Sequence, residues 1–319
     1  MTDAAAPVEA RGLVKRYGDV VAVDRVSLTV APGDVYGYLG PNGAGKTTSL
    51  RMLLGLIRAD AGSVRLFGRD PQADGARALD GVAGFVEAPR FYPFLSGRKN
   101  LELVAALDGG DAPGRIDDAL AMVELTDRAR HRVGGYSHGM RQRLGIAGAL
   151  LRDPKLLLLD EPATGLDPAG MRDMRALIRR LAGEGMTVML SSHLLNEVEE
   201  LCNRVAIVRR GSIIYEGSLA ELRRTATGRY SVRSTDDARA LAVLTAQPGI
   251  SDARAEGDGV GFAAAGEQAV AEASVALVEA GVGLRALVPH TASLEELFFR
   301  LTEGDEPAEA PEPVGSARP

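Results

Sequence analysis

The 319-residue chain has 37 Lys and Arg against 43 Asp and Glu, a formal net charge of −6, and its residues are 45% hydrophobic. That composition is typical of one large or two ordinary globular domains, and the acidic balance argues against nucleic acid as a partner. Cys202 is the only cysteine, so no internal disulfide can form, which fits a reducing compartment. No apolar run reaches the ~18 residues of a transmembrane helix, and the first residues lack a signal-peptide pattern. We therefore expect a cytoplasmic protein, and any membrane span would belong to another chain.

Short apolar runs alternate with helical patterns over residues 8–217. Buried strands are predicted at residues 35–39, 156–159, 187–190 and 205–208, and helices at residues 47–57, 100–107, 116–123 and 140–151. Continuous apolar strands covered by helices on both faces indicate an α/β fold with a largely parallel sheet. The mainly helical stretch at about residues 88–151 is interpreted as an insertion into this core.

The character of the chain changes near residues 223–228, and a second region follows. Its predicted order is strand 230–233, helix 237–246, strands 250–255 and 260–264, helix 268–280 and strand 284–288, which is the βαββαβ order of a ferredoxin-like α+β domain. Ser293 and Glu296 have capping-box spacing, so a closing helix is predicted at residues 293–301. Residues 303–319 are rich in Pro, Glu and Ala and are predicted to be disordered. We expect domains at residues 1–222 and 229–302 and a tail at residues 303–319.

A glycine-rich segment between a predicted strand and a predicted helix indicates a phosphate-binding loop. Gly40-Pro41-Asn42-Gly43-Ala44-Gly45-Lys46-Thr47 matches G-x-x-x-x-G-K-[ST], in the strand–loop–helix setting that the pattern requires. Its backbone N–H groups and the helix N-terminus favour an anion. Lys46 is predicted to reach the β- and γ-phosphates of a nucleotide, and Thr47 to offer its hydroxyl to Mg²⁺. An accidental glycine-rich turn is the alternative, and the setting disfavours it.

Two acids close the leucine run at residues 156–159. A buried parallel strand delivers its C-terminal end to the ligand crevice of an α/β sheet. Asp160 is therefore predicted to hold Mg²⁺, directly or through water, and Glu161 to act as general base toward the attacking water. Two solvated acids at a strand end are the alternative, which the upstream loop makes the weaker hypothesis.

Ser137-His138-Gly139-Met140 comes just before the predicted helix at residues 140–151. Ser137 and Gly139 lie at a helix start, where backbone N–H groups can hold an anion. An ordinary N-cap serine explains the same residues, so the segment by itself leaves both interpretations open.

In order and spacing these motifs resemble the ATP-binding subunit of an ABC transporter, over residues 8–217. Ser137-His138-Gly139-Met140 is similar to the signature motif of that family, with His138 where glycine is usual. Gly165-Leu166-Asp167 is similar to its D-loop. His193, after Ser191-Ser192, resembles its switch histidine, and Tyr17 resembles its adenine-stacking aromatic.

The resemblance implies a P-loop NTPase core of the ABC type with N-terminal antiparallel strands. It implies that ATP and Mg²⁺ bind and that two copies pair head to tail, with each ATP between one Gly40 loop and the other copy's Ser137 segment. It also implies a separate integral-membrane permease, so the chain would lie peripherally on the inner face of the cell membrane. The implied catalytic residues are Lys46, Glu161 and His193, and the implied metal ligands are Thr47, Asp160 and Glu87. The implied nucleotide contacts are Tyr17, Gly40, Pro41, Asn42, Gly43, Ala44, Gly45, Lys46, Thr47, Thr48, Ser137, His138, Gly139, Met140 and Asp167.

One position departs from the family pattern. After the strand predicted at residues 82–86 the family usually has Gln, whereas this chain has Glu87 followed by an aromatic-rich stretch. A carboxylate can also bind Mg²⁺, with an added negative charge near the γ-phosphate. This variant resembles the bacitracin- and lantibiotic-resistance branch of exporters, so we expect a drug or antimicrobial peptide as cargo. A solvated loop glutamate is the alternative.

Other functions compete with the transporter hypothesis. A soluble ABC-type ATPase of DNA repair would carry a long coiled coil between residues 40 and 137, and no sustained heptads are present there. A translation-associated ABC protein would carry two ATPase cores, whereas the chain has one phosphate-loop match. A nucleotide sensor without turnover would not need Glu161.

Overall fold

The computed structural model describes residues 5–226 and 228–290. The chain divides into two compact units between Leu219 and Ala220, and each unit has a hydrophobic core of its own. The helix predicted at residues 293–301 and the disorder predicted at residues 303–319 lie outside the described residues. Across the described ranges, no helix is both long and apolar enough to cross a bilayer.

Two sheets form the frame of the first unit. An antiparallel sheet in the order β2-β1-β4 contains β1 (Val8–Tyr17), β2 (Val20–Val30) and β4 (Ala61–Leu66). A six-stranded sheet in the order β5-β6-β7-β3-β8-β9 contains β3 (Val35–Leu39), β5 (Val82–Phe85), β6 (Leu156–Asp160), β7 (Thr187–Ser192), β8 (Arg204–Arg209) and β9 (Ser212–Ser218). Its strands pair in parallel from β5 to β8, and β9 adds an antiparallel edge. The predicted parallel core and N-terminal antiparallel strands are confirmed.

Helices follow the strands of the six-stranded sheet. They are α1 (Lys46–Leu53) after β3, α2 (Gly97–Asp108), α3 (Ile116–Met122) and α4 (His138–Leu150) between β5 and β6, α5 (Pro168–Gly183) after β6, and α6 (Leu195–Leu201) after β7. α7 (Leu219–Ala226) begins at the division between the units. The helical insertion is therefore present. The helix predicted at residues 47–57 ends sooner, because Gly55 N–H bonds to the Met52 carbonyl and Leu56 N–H to the Arg51 carbonyl, the hydrogen bonds of a Schellman cap.

The central strands are buried on both faces. All four leucines of β6 have no exposed surface, as expected for a parallel strand between two layers of helices. On β3, Gly37 allows the segment that contains α6 to approach: a Cβ at Gly37 would lie 2.8 Å from Cγ1 of Val198 and 3.0 Å from Sγ of Cys202. Burial raises the pKa of the Cys202 thiol, and the Glu197 carboxylate adds to the effect. The close approach fixes the segment that follows β7, which includes a predicted site residue.

The second unit has the βαββαβ order that the sequence predicts. Its elements are β10 (Arg229–Ser234), α8 (Asp237–Ala246), β11 (Ile250–Glu256), β12 (Gly259–Ala264), α9 (Glu267–Glu279) and β13 (Leu284–His290). The antiparallel sheet has the order β11-β12-β10-β13, and its core includes Val232, Leu244, Phe262 and Leu277. The ferredoxin-like α+β arrangement is confirmed.

Candidate functional site

The glycine-rich loop joins β3 to α1, as predicted. Gly45 is the N-cap of α1 with a φ of 97°, and a Cβ there would lie 2.2 Å from the carbonyl oxygen of Ala22. Only glycine meets both conditions without strain. No side chain of the described residues caps α1, so its first N–H groups remain available at the loop.

Lys46, the first residue of α1, holds a buried ammonium group above this loop. Its Nζ donates to the carbonyl oxygens of Gly40 at 2.7 Å and Pro41 at 3.2 Å. The same Nζ lies 3.1 Å from Oε1 of Glu161. Because a buried charge is costly without partners, these contacts fix the ammonium between the loop and the end of β6.

Asp160 is the last residue of β6, and its buried carboxylate accepts hydrogen bonds from two hydroxyl groups. Its Oδ2 accepts a hydrogen bond from Thr47 at 2.9 Å, and its Oδ1 accepts one from Ser191 at 2.5 Å. Ser191 arrives there because β6 and β7 pair in parallel with Asp160 opposite Ser191. Hydroxyl and carboxylate oxygens are the ligands that Mg²⁺ prefers, so Thr47 and Asp160 together fit the predicted metal.

Glu161 follows directly and takes a φ of 51°, in the left-handed region. Such backbone strain costs about 1–3 kcal/mol and tends to occur at functional sites. Oε1 of its carboxylate faces Lys46, and Oε2 accepts a hydrogen bond from the Thr164 hydroxyl at 2.8 Å. Nδ1 of His193 lies 2.6 Å from the same Oε2. The structure thus brings two predicted catalytic side chains, those of Lys46 and His193, onto the carboxylate of the third, Glu161.

The surroundings of Glu161 also set its protonation. Burial by itself raises the pKa of Glu161, but hydrogen bonds from Thr164 and His193, with the charge of Lys46, outweigh burial and hold the pKa below its ordinary value. The group is therefore ionised at neutral pH and able to accept a proton.

The turn that carries His193 is fixed by a buried hydrogen-bonded pair. Oγ of Ser192 accepts from the Leu194 N–H at 2.9 Å and donates to Oε2 of Glu197 at 3.0 Å. Glu197 is only 5% exposed, and its Oε1 has no hydrogen-bond partner within the described part of the chain. Burial raises the pKa of Glu197. The pair holds the turn against α6, so that His193 stays beside Glu161.

The phosphate loop, Glu161 and His193 line one cavity of about 440 Å³. Its lining residues are Ala22, Asn42, Gly43, Gly45, Lys46, Thr47, Thr48, Glu161, Thr164 and His193. Tyr17 is not among them: it lies half exposed at the end of β1, with Nζ of Lys15 5.6 Å from its ring centre. The adenine-stacking role of Tyr17 stays a prediction.

The signature-like segment lies on a different cavity, of about 370 Å³, whose lining includes Ser137, His138, Gly139 and Asp167. Ser137 caps α4 by accepting from the Met140 N–H at 3.2 Å. Asp167 caps α5 by accepting from the Gly170 N–H at 2.8 Å. The ordinary N-cap role of Ser137 is therefore present, and an anion-binding role for the segment stays a prediction.

The Glu87 carboxylate is paired with an arginine side chain in this structure. Glu87 follows β5 with a φ of 68°, and its peptide N–H, not its carboxylate, faces Oδ2 of Asp160 at 3.4 Å. The carboxylate forms an ion pair with Arg51 of α1. The guanidinium group of Arg51 therefore occupies the carboxylate oxygens that a metal would need, and the role of Glu87 as a metal ligand stays a prediction.

Sequence reasoning missed several polar residues of the site: Arg51, Thr164, Ser191, Ser192 and Glu197. A signal existed for Ser191, since the carboxyl ends of neighbouring parallel strands meet at one edge of the sheet. Thr164 and Arg51 give no comparable signal, because their contacts depend on the turns after β5 and β6.

A phosphate loop at the end of a parallel strand, beside paired acids on the next strand but one, defines the class of P-loop nucleotide hydrolases. The model of the ABC transporter family matches residues 23–164. The uncharacterized ABC transporter ATP-binding protein YdbJ of Bacillus subtilis is 39% identical, over 92% of this chain and 96% of its own length. The bacitracin transport ATP-binding protein BcrA of Bacillus licheniformis is 37% identical, over 93% and 97%.

The daunorubicin resistance ATP-binding protein DrrA3 of Streptomyces coeruleorubidus is 36% identical, over 96% of this chain and 98% of its own. A solved structure of the ATP-binding subunit of an ABC transporter has a TM-score of 0.61 and 28% identity, covering 68% of this chain and 92% of that chain. The chain belongs to the ABC transporter family as an ATP-binding subunit, and it is an ATPase. The chain matches these transporter subunits along nearly their whole length. The DNA-repair and translation alternatives are therefore set aside.

Proposed function

We propose that the chain is the ATP-hydrolysing motor of an exporter that moves a drug or antimicrobial peptide through a separate integral-membrane permease. The similarity to BcrA and DrrA3 over almost the entire chain supports this class of cargo. Glu87, in place of the glutamine usual in the family, supports the bacitracin-resistance branch. The chain would act as a peripheral subunit on the cytoplasmic face of the cell membrane.

The convergence of Lys46 and His193 on the Glu161 carboxylate is the observation that carries the proposed chemistry. Lys46 and the loop N–H groups bind the β- and γ-phosphates of ATP. Glu161 accepts the proton of the water that attacks the γ-phosphorus, a role that contributes roughly 10²–10⁴-fold in rate. His193 orients the carboxylate and contacts the γ-phosphate.

The same proposal assigns the metal to two oxygen donors. Thr47 and Asp160 would hold Mg²⁺, Asp160 directly or through water, since their oxygens already lie 2.9 Å apart. When bound, Mg²⁺ neutralises charge that develops on the phosphate oxygens. Ser191 keeps the Asp160 carboxylate in place by occupying its other oxygen.

We infer a head-to-tail pair of copies from the separation of the two cavities. The cavity at Lys46 and the cavity at Ser137 share no lining residue. One chain therefore presents two half-sites, and a second copy would bring its Ser137 and Asp167 surface against the nucleotide held by Lys46. The start of α4 would then face the phosphates with its N–H groups, which favour an anion.

The Glu161→Gln variant tests this proposal. The amide cannot accept the proton, so ATP turnover should fall by about 10²–10⁴-fold while ATP binding remains. The variant should therefore accumulate as an ATP-bound dimer, which light scattering detects. Glu184→Gln, an exposed glutamate at the end of α5, is the matched control and should behave as wild type. Near-normal turnover by Glu161→Gln would refute the base assignment, and an ATP-bound monomer would refute the paired site.

The export assignment needs a separate measurement. The chain should co-purify with an integral-membrane protein, and the pair in lipid vesicles should couple ATP hydrolysis to bacitracin or daunorubicin movement. If neither compound stimulates the ATPase and neither is transported, the assignment as an ATPase would stand, but this class of cargo would be contradicted.

A further inference from the structure

Thr164 touches functional side chains from both half-sites of one chain. Its hydroxyl donates to Oε2 of Glu161 at 2.8 Å, and its carbonyl oxygen lies 3.0 Å from Nε2 of His138. Thr164 lines the cavity of the phosphate loop, whereas His138 lines the cavity of the signature-like segment. Thr164 therefore joins the start of α4 to the proposed general base through two hydrogen bonds, one at its backbone carbonyl and one at its hydroxyl.

We propose that Thr164 is a positioning residue for Glu161 and that His138 holds Thr164 in place, so that nucleotide docking at the Ser137 surface is transmitted to the base of the same chain. The inference rests on the proposed function, because it needs two copies that share their nucleotides. It adds a physical link between the half-sites of each copy.

The geometry around Glu161 supports the positioning role of Thr164. The backbone N–H of Thr164 bonds to the Glu161 carbonyl at 3.2 Å, and its hydroxyl bonds to the carboxylate, so Thr164 binds both ends of the same residue. Oε2 is shared with His193, and Oε1 faces Lys46. Without the Thr164 hydroxyl, the Glu161 carboxylate keeps only Lys46 and His193 as neighbours, and its side-chain torsions are less restricted. Small errors in the placement of a reacting group are costly in rate.

The contact with His138 is a property of this chain, since glycine is usual at that position of the family motif. A carbonyl oxygen only accepts, so Nε2 of His138 must carry the proton in this bond. The ring also packs along the turn: a Cβ at Gly165 would lie 3.5 Å from Nε2. A Cβ at Gly139 would lie 3.5 Å from Cδ2 of Leu166. The turn at residues 164–166 thus rests on the first residues of α4.

This arrangement gives the link a direction. His138 is the first residue of α4, the helix end that would meet the partner's nucleotide. A shift of that helix end on docking moves the imidazole, and the imidazole is bonded to the backbone that positions the Thr164 hydroxyl. A contiguous set of contacts that has two discrete arrangements can carry coupling between sites. The undocked and docked positions of α4 would supply the two arrangements.

Thr164→Val is the first test, because valine keeps the shape and removes the hydroxyl. We expect kcat to fall about tenfold with a change in KM below twofold, and Thr164→Ser to restore most of the rate. Circular dichroism and the melting temperature confirm that each variant is folded. Equal rates for the valine and serine variants would overturn the positioning role.

A double-mutant cycle tests the link to His138. His138→Gly supplies the residue usual in the family and removes the donor, whereas His138→Gln keeps an N–H donor. His138 also lies on the proposed nucleotide surface, so a change in KM is expected and is not the readout. If His138 acts through Thr164, its effect on kcat should be present in the wild type, smaller in His138→Gln than in His138→Gly, and absent when valine already replaces Thr164.

Two outcomes separate the link from the function on which it rests. Independent, multiplicative effects of the two substitutions on kcat, in a chain whose Glu161→Gln variant dimerises with ATP, would overturn the link alone. Absence of the ATP-driven dimer in that variant would overturn the paired site itself, and with it the transmission. In that second case the Thr164→Val and Thr164→Ser comparison still decides the positioning role within one chain.

Discussion

At the scale of single residues, Glu87 shows how one neighbour decides what a charge does. Its carboxylate pairs with Arg51, and the two side chains are 59% and 37% exposed. An ion pair exposed to that degree contributes about 0–1 kcal/mol to stability. The pair is therefore weak enough to open when another cation competes for the carboxylate.

Two substitutions should move the magnesium dependence of the ATPase in opposite directions. Arg51→Gln frees the Glu87 carboxylate, so half-maximal activity should need about threefold less Mg²⁺, a change below 1 kcal/mol. Glu87→Gln removes the negative charge and should need correspondingly more. Measured ATPase rates against Mg²⁺ at saturating ATP provide the check. If neither variant shifts the curve, Glu87 is only a surface ion-pair partner.

The predicted site residues that lie at the phosphate cavity or bond to its lining are those whose backbone setting is short and regular. Lys46 and Thr47 follow a strand by a loop of fixed length, and Asp160 ends a leucine run. The contact between Thr164 and Glu161 had no such signal, because it depends on the left-handed φ of Glu161. The Arg51 pair was missed for a similar reason, since Glu87 also has a left-handed backbone.

At the scale of elements, the loop between β3 and α1 is constrained by the strand beside it. Gly45 lies against the carbonyl oxygen of Ala22 in β2, so the antiparallel sheet and the phosphate loop are in direct contact. Gly43, two residues earlier, has a φ of 80°, but a Cβ added there would meet no atom of the described residues within 4 Å. A side chain at Gly45 would meet both a steric clash and a strained backbone, whereas a side chain at Gly43 would meet only the strained backbone.

Alanine at these two positions should have very different effects. Gly45→Ala brings a Cβ within 2.2 Å of a backbone oxygen, so β2 or the loop must shift, and ATP affinity should fall by more than about tenfold. Gly43→Ala should cost about 1–2 kcal/mol in stability from the left-handed conformation and weaken ATP less. Calorimetric titration with ATP and thermal melting test both. Equal losses in both variants would contradict a steric origin.

Element ends were the least predictable part of the fold. α2 begins at Gly97, earlier than the predicted residue 100, because Ser96 caps the helix by accepting from the Lys99 N–H at 3.2 Å. α1 ends at Leu53 because the Schellman bonds close it. Apolar periodicity shows which face of a helix is buried, but the caps that stop the helix are short polar contacts outside that pattern.

At the scale of the whole molecule, each of the two units has a hydrophobic core of its own. The antiparallel sheet of the second unit was predictable, because the βαββαβ order after residue 228 is that of a ferredoxin-like domain. The strand order β11-β12-β10-β13 followed from the βαββαβ order and the known motif, not from any one segment. The sequence suggested a class of cargo only by resemblance, and the individual cargo was not predictable, since an ATPase need not touch what its transporter moves.

A substitution in the second core tests whether the two units are separate domains. Phe262 is 1% exposed and stacks on Tyr230 with ring centres 5.7 Å apart, so Phe262→Ala should cost about 3–5 kcal/mol. Phe94, 64% exposed, is the matched control, and its change to Ala should have a small effect. We expect calorimetry to show one destabilised transition while the KM for ATP changes less than twofold. A parallel loss of ATP affinity would contradict separate domains.

Cys202 is a built-in chemical probe of local opening in this ATPase. It is the only thiol in the chain, and it is packed beneath Gly37 of β3 with a pKa raised by burial. Such a thiol stays protonated and unreactive at neutral pH, so an alkylating reagent reaches it only when the segment around α6 separates from the sheet. Because that segment continues from the turn that carries His193, the alkylation rate of Cys202 reports how readily the segment opens, without any engineered probe.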